Sequence, residues 1–213
     1  MRSPAFALSE LERDALTEIV NIGVGRAARN LSVMIKAPVQ LSVPRTELLL
    51  RSEAAKVLSG RGGAGLVSVG QKFQGPFSGQ ALLIFPEANS LELVRAVLGD
   101  AMDLNEIIDL EQEALAEIGN VILNGCLVVV ANMLRRGLTM SLPQVNRGSG
   151  SRILDAENGS SSEPVLFLRI DFKVSARDIE GYIALLMDLP SLASLRELIR
   201  SFIDNLDGKE VEE

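Results

Sequence analysis

The 213-residue chain contains no histidine and no tryptophan, a single tyrosine and a single cysteine. Without histidine the commonest general base and the commonest zinc ligand are both missing, so any chemistry falls to carboxylates, amides and hydroxyls. Cys126 has no partner for an internal disulfide and no imidazole to activate it. Lying in the apolar run GCLVVVAN, it reads as a small buried hydrophobe in a reducing compartment. No run of Lys and Arg occurs either, and the formal charge is -7. That balance lacks the clustered basic face of a nucleic-acid binder and fits a protein partner with a basic surface. The most apolar stretch, VILNGCLVVVANML, is interrupted by Asn124, Gly125 and Asn132 and falls short of the roughly 20 residues that span a bilayer. The N-terminus meets acidic residues before a signal-peptide core can form. The expectation is a cytoplasmic protein with no membrane insertion and no nucleic-acid partner.

What is present is a hydrophobic content of 47%, enough for a substantial core in one domain or two fused halves. Ser9 followed by Glu12 reads as a capping box, and apolar residues at helical spacing continue to about Lys36, with Pro38 stopping the helix. The strand PVQLSVP follows, then a short strand end or helix in LLLRSEAAKVLSG, and the connector GRGGAG. The strands LVSVGQKF and SGQALLIFP flank the turn QGPF, and Ser90 is expected to cap the helix SLELVRAVLG. A second helix, from about Leu110 to Arg136, restarts the same order with the strand GLTMSLPQV, the strands VLFLRIDFKVS and IEGYIALLMDLP, and the helix SLASLRELIRSF. The Ser/Gly-rich segment 147–163 reads as a mobile loop and 206–213 as a frayed tail. The reading is an α+β fold of one domain, residues 1–213. It is internally duplicated in pseudo-symmetric halves of about 9–100 and 109–205, and both repeats build one antiparallel sheet with long helices packed on one side.

The duplication carries the chemistry. LERDALTEIVN at residues 11–21 returns as LEQEALAEIGN at residues 110–120, keeping Leu, Glu, Ala, Leu, Glu, Ile and Asn in register. At about 100° per residue, Asp14, Glu18 and Asn21 fall within an arc of about 60°, and Glu113, Glu117 and Asn120 repeat that stripe. Leu11, Ala15, Ile19 and Ile22 lie beside the first stripe on the face expected to be buried. Gly25, a turn after Asn21, leaves room for another backbone. Twenty-two residues separate Asn21 from Pro44, and twenty-two separate Asn120 from Pro143. A single acid and amide on a helix is ordinarily a solvated face; two copies in register with a distant proline point to function. A carboxamide both donates to and accepts from water, and can orient one for in-line attack on phosphorus. The acid can pair with a partner's lysine.

The pattern Asp/Ser-x-x-x-Glu-x-x-Asn with its downstream proline resembles the signature of the CheC, CheX and FliY phosphatases of bacterial chemotaxis. The similarity covers nearly the whole chain, and the two copies look like CheC. The resemblance implies hydrolysis of the aspartyl-phosphate of a CheY-type response regulator. Asn21 and Asn120 would place the attacking water, while Glu18 and Glu117 would contact the receiver's lysine. Asp14, Glu113, Pro44 and Pro143 would support them. It implies no cofactor of the protein's own, magnesium on the partner receiver, and the deamidase CheD as a second partner. Glu113 departs from the usual Asp or Ser, and Asn124 stands where CheC proteins tend to have glycine. Two other readings of the stripes stay open: an adaptor or sink that binds receiver or CheD without hydrolysis, and a purely structural pairing of Glu18 and Asn21 across the pseudo-two-fold.

Overall fold

The computed structural model describes residues 8–59, 65–99, 103–155, 164–174 and 177–206. The first long helix, α1 (Glu10–Ile35), opens on the capping box: Ser9 Oγ accepts from Glu12 N at 3.1 Å, and Ser9 N donates to Glu12 Oε2 at 2.7 Å. Lys36 ends it in the left-handed conformation at φ 53°, and Arg135 takes φ 53° after the second long helix. A left-handed residue therefore terminates both helices, ahead of Pro38 in the first. Then come β1 (Val39–Leu50), α2 (Arg51–Ser59), β2 (Leu66–Gln74), β3 (Gly79–Pro86) and α3 (Ser90–Leu98). The second half runs α4 (Leu104–Met133), β4 (Thr139–Met140), β5 (Gln144–Gly148), α5 (Gly150–Asp155), β6 (Pro164–Val174), β7 (Arg177–Leu186) and α6 (Leu189–Leu206).

One antiparallel sheet joins the halves in the order β1-β6-β7-β3-β2-β4, with β5 also on β2. The central pair is β3 with β7, so the pseudo-two-fold passes between them and each half lends its edge to the other's strands. One face carries the main core, where Ile19, Val24, Leu31, Leu115, Ile118 and Ile122 of the long helices meet Val67, Val69, Leu83 and Leu168 of the strands. At the helix crossing, a Cβ on Gly23 would lie 3.0 Å from Cys126 Cα, and one on Gly125 would lie 3.0 Å from Ala27 Cα. Only small residues permit that approach. Burial pushes the Cys126 thiol up to about 12, in keeping with an unreactive core residue. By length and composition α4 could cross a membrane, but 67% of its most apolar window is buried inside the protein.

Several expectations change. Besides the long helices on one face, short α2 and α5 cover part of the other, where Ala54, Leu58, Ile153 and Leu154 pack on Leu82, Ile84, Phe167 and Tyr182. The segment 147–163 is therefore not a loop throughout: β5 runs to Gly148, and α5 is pinned by its buried Ile153 and Leu154, two apolar residues hidden in a polar composition. Residues 156–163, like 60–64 of the glycine-rich connector and 207–213 of the tail, lie outside the described residues. Ser90 is the first residue of α3 rather than its cap, its hydroxyl lying 2.8 Å from Glu87 O and 2.7 Å from Glu111 Oε1, two acceptors that share its one O–H. The strand expected over GLTMSLPQV is split into β4 and β5 around Pro143, which has no N–H for the ladder. Pro44 marks the matching irregularity, a register shift in β1 between Ser42 and Arg45. The in-step prolines thus interrupt the two edge strands at equivalent places.

Glu12, only 3% exposed, ties α1 to α6. Arg196 Nε lies 3.0 Å from both of its carboxylate oxygens, and Arg200 Nε reaches Oε1. Burial disfavours the charge, but hydrogen bonds from Arg196, Ser9 N and Arg200 outweigh it and hold the carboxyl at about 2. Because the folded-state pKa is depressed, the stabilisation is full above the ordinary value of 4.5 and is lost as pH falls from there towards about 2. Glu12→Gln is expected to cost about 2 kcal/mol in denaturant unfolding at neutral pH, a figure discounted for the half-exposed Arg200. The gap between wild type and variant should close on acidification through that window.

Candidate functional site

Both stripes face outward. Asp14 and Glu18 are exposed and Asn21 is half-buried on α1; Glu113 and Glu117 are exposed and Asn120 is half-buried on α4. Each amide stands close to the helix crossing, Asn21 just before Gly23 and Asn120 a turn and a half before Gly125. Among the described residues no hydrogen bond or ion pair joins Glu18 or Asn21 to Glu117 or Asn120. The stripes therefore do not clamp the halves together, and that role falls to the Gly23 and Gly125 contacts and to the β3–β7 ladder. Leu11 and Ile22, expected to be buried, are 60% and 45% exposed and flank the first stripe, as Leu110 does the second. Glu12 takes the inward position instead, because the two arginines of α6 neutralise it. Beside Glu113, at the start of the second stripe, lies a groove lined by Asp109, Glu113, Ala116, Pro143, Val145 and Asn146, so Glu113 and Pro143 share one groove. Pro44 lies in β1, the strand that follows α1; its side chain is outside the described residues. Among the described residues no three acidic or thiol groups come together as metal ligands would.

The two amides differ in their surroundings. Asn120 Oδ1 accepts from Asn124 Nδ2 at 2.6 Å and from Gln71 Nε2 at 3.1 Å, and Gln71 Nε2 also donates to the Ser141 carbonyl at 2.9 Å. Gln71 stands on β2 and is 1% exposed. Asn21 makes no side-chain hydrogen bond among the described residues, and Gly25, in the place of Asn124, has nothing within 4 Å of where its Cβ would be. The reason α4 reaches β2 is Gly119: a Cβ there would sit 2.4 Å from Val69 Cγ1. The first copy carries Val20 at that place. Sequence reasoning noted Asn124 but missed Gln71 and the role of Gly119. The available signals were a lone glutamine in the strand LVSVGQKF and the change from EIVN to EIGN.

With this geometry in view, the comparisons are specific. The family model for chemotaxis phosphatase CheX matches residues 67–167, and that of the CheC-like family matches residues 11–48. Each match contains one stripe. The resemblance to the CheC, CheX and FliY family holds. The CheY-P phosphatase CheC of Bacillus subtilis is 26% identical over 143 residues, covering 65% of this chain and 68% of that protein. The flagellar motor switch phosphatase FliY of Bacillus subtilis is 23% identical over 211 residues, 96% of this chain, which spans 53% of that longer relative. The Thermotoga maritima FliY structure superposes with a TM-score of 0.75 at 16% identity, covering 92% of this chain and 99% of that one. The Helicobacter pylori FliM middle domain superposes with a TM-score of 0.59 at 11% identity, covering 90% and 99%. Both structural likenesses concern the fold, a CheC-type α+β duplication.

Gly119→Ala of this CheC-like chain is expected to cost about 1–3 kcal/mol in denaturant unfolding, because Val69 is buried and β-branched and cannot yield cheaply. Gly25→Ala, in open space on a helix, should instead stabilise by up to about 1 kcal/mol.

Proposed function

We propose that this protein is a cytoplasmic phosphatase that hydrolyses the aspartyl-phosphate of a CheY-type response regulator. The observation that carries the reading is the outward-facing acid–amide stripe, built twice at the same spacing with its acids exposed and its amides half-buried, in a chain similar to proteins named CheY-P phosphatases. In this reading Glu18 and Glu117 pair with a lysine of the receiver and set the docking register. The exposed Leu11, Ile22 and Leu110 add apolar contact around them. A carboxamide then holds a water in line with phosphorus, while the receiver's own magnesium and lysine neutralise the charge on the phosphoryl oxygens. No histidine is needed, because this reaction asks for positioning more than for proton transfer.

A second reading, an adaptor or sink that binds the phosphorylated receiver or CheD without hydrolysis, is favoured at one place by Asn120, whose carbonyl oxygen is already engaged. CheD is carried as a possible second partner with no residues assigned to it. The deciding experiment follows the decay of phosphorylated receiver with wild type, Asn21→Ala, Asn120→Ala and the double variant. The double variant is expected to lose about 100-fold in rate, the scale of losing a positioned reactant. Equal decay for wild type and double variant would falsify the phosphatase reading, and tight binding with no acceleration would establish the adaptor.

A further inference from the structure

The duplication kept one kind of charge and dropped the other. Every acid of α1 returns 99 positions later on α4, Glu10, Glu12, Asp14 and Glu18 as Asp109, Glu111, Glu113 and Glu117. None of its arginines does. Arg13, Arg26 and Arg29 give way to Gln112, Gly125 and Val128, and α4 contains no Lys or Arg at all. One acid of each set is already neutralised, Glu12 by Arg196 and Arg200 and Glu111 by Arg147. Within the repeated stretch, α1 therefore shows solvent three acids, Glu10, Asp14 and Glu18, balanced by its three exposed arginines. The α4 face shows Asp109, Glu113 and Glu117 with no cation among them. Among the described residues none of these side chains is in an ion pair. Nor does any cation line the groove beside Glu113. Arg29 stands about 80° from Asn21 around the helix, in the arc that also holds Glu18, and about 12 Å further along the axis.

Resting on the phosphatase reading above, we propose that the two helix faces select different receivers by charge. The α1 face, through Arg13, Arg26 and Arg29, takes a receiver whose surface around the phosphorylation pocket is acidic. The α4 face takes one whose surface there is rich in lysine and arginine. A docking lysine is common to both kinds of receiver, so the acids kept in both copies serve them alike. The arginines of α1 are then specificity-determining residues, remote from the reacting atoms. Complementary charge steers the encounter and fixes its register, and like charge rejects the wrong partner. A single exposed pair contributes little, so the selection comes from several charges acting together. Screening confines each of them to about 8 Å at physiological salt, so they read only the groups docked directly over their own face.

The test uses the full chain and one CheY-type receiver in two forms, both activated by beryllofluoride and magnesium. Several exposed neutral residues around the phosphorylation pocket are changed to Glu in one form and to Lys in the other, and binding is followed by calorimetry. Glu18→Ala should weaken the acidic form about tenfold and leave the basic form within about twofold, and Glu117→Ala should do the reverse. Both variants lose one acid, so a difference between them is not an effect of net charge. Arg13→Gln with Arg29→Gln should weaken the acidic form about fivefold. Gln112→Arg with Val128→Arg should let α4 accept that form, so that Glu18→Ala no longer weakens it. These four positions are exposed, and Arg and Gln are good helix formers, so the variants fold. All the differences should shrink as salt is raised. If Glu18→Ala and Glu117→Ala weaken both forms alike, or if exchanging the arginines moves neither, charge does not sort the receivers and the proposal fails. Self-association of the chain that Arg29→Gln abolishes in sedimentation would give the α1 arginines a second copy as their partner and overturn it as well. Wild type that binds neither form would remove the phosphatase reading beneath it, whereas equal binding of both forms at both faces would remove this proposal alone.

Discussion

The close crossing of α1 and α4 is the contact on which the rest depends. Gly23 against the backbone of Cys126, and Gly125 against Ala27, bring two long helices together over a sheet whose own centre is the β3–β7 ladder. A side chain at either glycine would push backbone against backbone, which a packed interior does not absorb cheaply. Because the crossing is tight, the outward faces of both helices are held rigidly a short way from it. Those faces carry the acids and amides. The candidate site thus rides on helices rather than loops, which fixes the placement of its side chains.

A duplicated fold need not keep duplicated sites. The two halves share element order, edge-strand prolines and left-handed helix ends, yet among their differences two beside the amides change the surroundings of the site. Val20 in one copy is Gly119 in the other, and Gly25 in one is Asn124 in the other. The glycine lets α4 settle against Val69 of β2 and brings Gln71 within reach; the asparagine closes the ring of amides around Asn120. Removing a side chain in one place and adding one in another has converted a free carboxamide into a fixed one. The likeness to the FliM middle domain concerns the scaffold alone, and a scaffold does not by itself fix what its helix faces do.

Long helices were the most legible elements, because their apolar period runs over many turns and the capping box at Ser9 marks where the first begins. The edge strands were less so. Pro143 splits one and Pro44 shifts the other, and an irregular strand has no period to read. Helix α5 was invisible for a related reason: only Ile153 and Leu154 anchor it, inside a run of serine and glycine. Within the site, the paired stripes were apparent from spacing alone, whereas the exposure of Leu11 and Ile22 was not. Their burial depended on whether α6 would instead draw Glu12 inward with Arg196 and Arg200, residues far away along the chain.

What the sequence by itself determined is the local grammar. It specified two helices bearing an acid and an amide one turn apart, and a chemistry without imidazole, because helical periodicity and side-chain inventory are properties of short windows. Tertiary structure alone decided how Asn120 is oriented. Gln71 and Asn120 lie on different elements 49 positions apart, and only the close seat of Gly119 on Val69 lets one hold the other. A hydrogen bond is made or lost over a few tenths of an ångström, and that distance is set by packing, which no short window of sequence contains.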